Sequence, residues 1–159
     1  MTGRNPTDRA KCGTATHLAT DAHGLPLAAV VTGANASDGG QAKAVLDALG
    51  VRPPAPDRPN PAPDPRDLPR VRADGADGNA PTRQRATDAG FRMLAPSRGQ
   101  TRRKGLGRVR APVERGHAFL AQFGRTARRT DRRARRYLGW IELAAAVIFL
   151  RHKANGFFR

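Results

Sequence analysis

The order of apolar and polar positions along the chain predicts a sequence of short elements. Thr16–Thr20 and Leu25–Thr32 are strand-like runs, and Asp21-Ala22-His23-Gly24 stands between them as a turn at hairpin spacing. Val30, Val31 and Thr32 are β-branched, which suits a pleated, half-buried surface. Ala42, Val45, Leu46 and Leu49 then recur at helical spacing, and Gly50 is a natural stop. Asp38-Gly39-Gly40-Gln41 ahead of them has the form of a capping box with an acidic N-cap. Val71–Asp74 predicts a short strand ending in an acid. Asn79 caps a helix through Ala89, with Pro81 tolerated in its first turn and Gly90 closing it. Phe91–Ala95 is a further strand, and residues 97–110 form a basic loop. Pro112 opens a helix carrying Val113, Ala118, Phe119, Leu120 and Phe123, and a last helix runs from Tyr137 to His152. Residues 1–13 show no periodicity and are expected as loop. Strands interleaved with helices place the chain in a mixed α/β class.

Residues 51–69 interrupt this order. Their many prolines remove backbone donors and bias the chain toward extended geometry, so a stiff linker without packed structure is expected there. With 159 residues, 38% hydrophobic and 5% aromatic, the length admits one ordinary domain but the apolar supply is modest. A single domain over 1–159 with a proline-rich insert is the organisation expected. No internal repeat is visible.

Charge changes the picture most. The formal net charge is +16, from 29 basic and 13 acidic residues, and a polyanion such as nucleic acid is the first partner to consider. Only Lys11, Lys43, Lys104 and Lys153 are lysines, and a bias toward GC-rich codons accounts for part of the arginine excess. The charge is nevertheless clustered: Arg98, Arg102, Arg103, Lys104, Arg108 and Arg110 in one run, and Arg125 to Arg136 in another. Arg102, Arg103, Lys104, Arg108, Arg110, Arg115, Arg128 and Arg129 are the residues expected to track a DNA backbone. Read blandly, the same runs are solvated faces.

The remaining composition excludes other classes. Cys12 is alone, which rules out an intramolecular disulfide or a cysteine-based zinc site. The N-terminus has no apolar run behind its charge and does not look like a signal peptide. Trp140–Leu150 is too short to span about 30 Å of hydrocarbon and carries Glu142, so a buried helix is expected. A reduced, cytoplasmic setting is the default expectation, with no membrane partner. His17, His23 and His117 lack metal-ligand spacing and are expected in surface or structural roles.

Several segments in order resemble the insertion-sequence transposases of the DDE (Asp-Asp-Glu) class, in the group numbered five. These are Asn5–Gly13, Thr16–Leu27, Thr32–Asp38, Arg72-Ala73-Asp74-Gly75 and Gly107–Arg115, with the apolar closing helix Trp140–Arg151. The resemblance covers nearly the whole chain outside the proline-rich stretch. It implies an RNase H-like mixed sheet with flanking helices and two divalent metal ions, Mg²⁺ or Mn²⁺. The implied reaction is metal-dependent phosphodiester cleavage at transposon ends followed by strand transfer into target DNA. Such ions need hard oxygen ligands, and a pair about 4 Å apart stabilises the attacking and leaving oxygens of an in-line displacement. Three carboxylates must therefore converge. Asp74 matches the family's second catalytic Asp and Glu114 its catalytic Glu, both also metal ligands. Arg110, four residues before Glu114 and so on the same helix face, is suited to a phosphate beside the metal.

Spacing alone says less. Asp74 before a glycine reads as a turn residue, and Asp77 competes with it. Glu114 near a helix N-terminus is a good dipole partner without any metal.

The chain also departs from the pattern. The family's first catalytic Asp sits on a strand preceding the Asn5-Pro6 segment, and Asp8 and Asp21 are poor substitutes for it. In RNase H-like sheets that strand is central, so its absence leaves the hairpin and Val71–Asp74 facing a gap. Gly107 occupies the position of the family's tyrosine. The expectation is a partial transposase, inactive alone. It is completed by an upstream-frame product joined through frameshifting or by a second transposase chain, or else it is a decayed remnant. The rival from another class is a non-catalytic basic nucleic-acid-binding protein, which explains the charge but not acids at Asp74 and Glu114.

Overall fold

In the computed structural model the described residues are 2–5, 9–50, 66–73, 78–96 and 106–156, with 106–110 described by backbone alone. Most of the proline-rich insert, residues 51–65, lies outside them. The elements run β1 (Gly3–Arg4), β2 (Cys12–Thr20), β3 (Pro26–Gly33), α1 (Asp38–Asp47), β4 (Arg70–Arg72), α2 (Ala80–Asp88), β5 (Arg92–Leu94), α3 (Leu106–Ala121), α4 (Gly124–Ala127) and α5 (Ala134–Ala154). The expected mixed α/β class is what is found. The chain divides into two compact units, Met1–Ala36 with Ala111–Arg159, and Ser37–Arg110.

The first unit is built on the expected hairpin. β2 and β3 pair antiparallel from Thr14↔Gly33 to Thr20↔Pro26, with a bulge between Ala19 and Thr20. The turn is closed by Asp21, whose Oδ1 accepts from the amides of His23 (2.9 Å) and Leu25 (2.8 Å). Gly24 takes φ +89°, open to glycine at little cost. β1 adds a short antiparallel strand against β2, Gly3↔Gly13 and Arg4↔Cys12. This corrects the expectation of loop over 1–13. Its connection uses positive φ at Arg9 (47°) and Ala10 (56°). Such angles are ordinarily signalled by Gly or Asn, so no turn signal marks the strand.

α5 supplies the core. Tyr137, Ile141, Ala144 and Ile148 are buried at spacings of four, three and four, one stripe of a helix. They pack with Leu25 and Leu120, and with the partly buried Leu18, Ala29, Val31, Phe119, Phe123 and Phe149. The helix starts at Ala134, before the expected Tyr137. Arginine is a good helix former, but the apolar rhythm begins only at Tyr137. α4, inside the arginine cluster, was likewise not expected. Thr126 is buried there; its hydroxyl bonds Leu120 O, and Tyr137 Oη donates to Thr126 O at 2.9 Å.

The second unit places α1 and α2 with the parallel pair β4–β5, in register Arg70↔Arg92 through Arg72↔Leu94. Leu46, Ala86, Ala89, Phe91 and Met93 form its core. α2 is capped as expected: the Asn79 side chain accepts from the Thr82 amide at 2.9 Å, and Gly90 follows with φ +82°. α1 is capped one residue earlier than expected. Ser37 Oγ accepts from the Gly40 amide at 3.3 Å, and Asp38 becomes a first-turn acid that favours the helix dipole.

Candidate active site and nucleic-acid surface

α3 carries Glu114, and two glycines hold that helix against the hairpin. α3 begins at Leu106, not at Pro112, so 106–110 is helix and the basic loop expected over 97–110 is corrected there. Pro112 had the look of a helix start because its missing N–H costs nothing in a first turn. It lies inside the helix instead, where one i→i−4 bond is lost.

Beyond it the fit is close. A Cβ on Gly116 would lie 2.7 Å from Thr20 Cγ2 and 3.1 Å from Gly24 O, and one on Gly24 would lie 2.8 Å from Pro112 O. Only residues without side chains allow this approach. Arg115 completes the seam, donating from a guanidinium nitrogen to His23 O at 3.0 Å. Glu114 is therefore set on a helix turn fixed by its immediate neighbours at 112, 115 and 116. It is exposed, and its carboxylate makes no hydrogen bond or ion pair with a described residue.

The expected basic residues separate into kinds. Arg128 is exposed, following α4. Arg115 is exposed yet bonded to the hairpin turn. Arg129 is turned inward: its guanidinium donates to Asp131 O (2.9 Å), Arg132 O (3.0 Å) and Thr14 Oγ1, and lies 5.7 Å from the Tyr137 ring centre. It ties the segment before α5 to β2. Arg108 and Arg110 fall on α3, described by backbone alone, with Arg110 one turn before Glu114. Asp74, its competitor Asp77, and Arg98, Arg102, Arg103 and Lys104 lie outside the described residues, as does Asp8.

His17 is buried, with Nε2 2.7 Å from Thr32 Oγ1 across the hairpin. Thr32 Oγ1 in turn donates to Gly33 O, which leaves it to accept from the ring nitrogen. This is the structural role expected.

Sequence reasoning missed Arg83, whose side chain donates to Gly78 O (3.3 Å), Met93 O (3.1 Å) and Ala95 O. It joins the start of α2 to the end of β5. An arginine three residues inside a capped helix carries no sequence signal for such a role.

A divalent cation needs several oxygen donors together. Among the described residues no three His, Cys, Asp or Glu side chains gather so as to hold one. Glu114 fits as a single oxygen donor, and the described residues do not complete a set around it. Among them, too, no helix is long and apolar enough to cross a membrane.

Comparison with known proteins supplies what geometry alone does not. A protein of Burkholderia cepacia, named as a transposase for the insertion sequence element IS402, is 38% identical over 148 residues. The match spans 92% of this chain and 67% of that relative. No solved structure matches significantly. The sequence profile described as "Transposase DDE domain" matches residues 2–149, and on this ground the chain belongs to the DDE transposase family.

Proposed function

We propose that this chain acts in transposition of an insertion sequence, as part of an RNase H-like DDE catalytic domain that binds transposon-end and target DNA. Residues 1–159 would form that partial domain, with the proline-rich stretch 51–69 as an insert. Asp74 and Glu114 are its two carboxylates, serving as catalytic groups and as oxygen ligands for Mg²⁺ or Mn²⁺. When bound, two such ions supply charge stabilisation for phosphodiester cleavage and strand transfer.

The chain's own residues prepare the site. Glu114 is presented by a helix turn that Gly24, Gly116 and Arg115 hold in place. A carboxylate engaged by no described cation keeps its oxygens available for a ligand. Arg110, Arg115 and Arg128, with Arg102, Arg103, Lys104 and Arg108, line the phosphodiester path, and their charge raises the local concentration of DNA. Arg129 joins that surface by holding β2 to the segment before α5. The observation that carries this reading is an exposed Glu114, engaged by no described residue, within a profile match spanning residues 2–149.

The chain is proposed to be incomplete as a catalyst. A DDE centre needs three converging carboxylates, and the family resemblance supplies two of them, Asp74 and Glu114. A central strand supplied from elsewhere is part of this proposal. Among the described residues β4 pairs only with β5, and from Thr14 onward β2 pairs only with β3. Completion falls to an upstream-frame product or a second chain.

The test is a nicking assay on element-end DNA with Mg²⁺ or Mn²⁺. The 159-residue chain is expected to bind and not cut. Robust cutting abolished by Asp74→Ala would overturn the incompleteness, and cutting untouched by both Asp74→Ala and Glu114→Gln would overturn the site.

A further inference from the structure

Away from Glu114, the first unit has an open depression of about 500 Å³ beside the start of α5, lined by Arg125, Asp131, Arg136, Gly139, Trp140 and Leu143. Its volume is in the range of small-ligand sites. Trp140 keeps 38% of its surface exposed and Leu143 55%, both outside the buried stripe of α5. The Arg125 guanidinium lies 5.4 Å from the centre of the Trp140 ring. A Cβ built on Gly139 meets nothing within 4 Å, so the floor beside the indole is open.

Asp131 is the unusual member. Its Oδ2 is shut off from solvent and has no hydrogen-bond partner among the described residues. A carboxyl oxygen left without a donor is costly. Asp131 is one of the residues lining the depression, so a donor that enters meets a residue whose carboxylate has an oxygen still to satisfy.

We infer that this depression takes an unpaired nucleobase of a DNA strand, stacked on Trp140, with Asp131 accepting hydrogen bonds from its N–H groups and Arg125 and Arg136 meeting the flanking phosphates. The inference rests on the proposed DNA-binding role, but on residues outside the expected basic track. A flat π-surface for the indole, N–H donors for a stranded carboxylate and anions for two arginines are all met by a nucleotide. An acidic peptide satisfies the arginines and repels Asp131. A paired base has its donors occupied and its faces stacked. Among unpaired bases, guanine offers a carboxylate two adjacent donors on its pairing edge, N1–H and the exocyclic amine. Adenine and cytosine offer the amine alone. Thymine offers one N–H between two carbonyls that repel the carboxylate. Guanine is the expected preference and thymine the poorest fit.

Trp140 is the chain's single tryptophan and so reports on its own site. Its fluorescence is followed while the full chain is titrated with short single strands: a guanine-containing strand, an all-thymine strand, an abasic strand of equal length, and poly-glutamate. Saturable quenching is expected with guanine, weaker quenching with thymine, and none with the abasic strand or the peptide. Asp131→Asn should erase the guanine-over-thymine preference, roughly tenfold, while quenching persists. Trp140→Leu should weaken binding of a labelled guanine strand roughly tenfold by anisotropy, with abasic affinity unchanged. Should Trp140→Leu not fold, Asp131→Asn still decides, because it retains the reporter. Equal quenching by abasic and guanine strands, quenching by poly-glutamate, or a preference that survives Asp131→Asn would overturn the inference. Cleavage at Asp74 and Glu114 is not needed for any of these readouts, so either proposal can fail while the other stands.

Discussion

The two compact units spend their arginines differently. In the Ser37–Arg110 unit the bonded ones close the structure: Arg83 holds three carbonyls around α2 and β5, and Arg85 reaches Gly39 O at 3.4 Å. In the other unit Arg129 does similar work and the exposed Arg115 and Arg125 each make a hydrogen bond, to His23 O and Thr130 Oγ1, while Arg128 and Arg136 are exposed. Net charge therefore overstates the surface available to DNA. A basic residue counts toward phosphate binding only where its guanidinium is not already committed inside the fold.

The largest effect that bears on this contrast is apolar, not ionic. Ile141→Ala, at a position 2% exposed in the stripe of α5, is expected to cost about 2–5 kcal/mol, read by denaturant unfolding followed at Trp140. Amide exchange on α2 should change far less, since that helix belongs to the other core. Equal loss of protection in both units would mean that they unfold as one.

Next come the committed arginines. Arg129→Ala and Arg83→Ala should each destabilise by about 1.5–3 kcal/mol, each in its own unit, because each removes charged donors from several carbonyls. Gly24→Ala should cost about 1–3 kcal/mol, from a positive φ and a contact of 2.8 Å with Pro112 O. Thermal melts measure all three, and a neutral Gly24→Ala would show that α3 is not held as described. The smallest effect is Arg128→Ala. Stability should move by less than about 0.5 kcal/mol, while the slope of DNA affinity against salt falls by about one. An Arg129→Ala variant with a normal melt and the same loss of slope would erase the distinction between the two kinds of arginine.

The elements legible in the sequence were those whose signals are local. The hairpin announced itself through Asp21-Ala22-His23-Gly24, and α2 through Asn79 and Gly90, because turn and cap chemistry needs particular side chains. β1 was hidden since Arg9 and Ala10 adopt positive φ without the residues that advertise it. The early start of α3 was masked by Pro112, and that of α5 by an arginine run with no apolar rhythm. Of the proposed site, Glu114 was suggested by resemblance and by its basic surroundings. Its support by Gly24 and Gly116 could not, because contacts between residues so far apart in sequence exist only once the chain has folded.

The central claim is that Asp74 and Glu114 act on one cation, and Mn²⁺ titration followed by nuclear magnetic resonance tests it most directly. Paramagnetic broadening is expected at the amides of residues 73–79 and 111–117 together, over the same range of Mn²⁺, and to vanish from both segments in Glu114→Gln. Broadening confined to one segment, or persisting at residues 73–79 in that variant, would contradict a shared site.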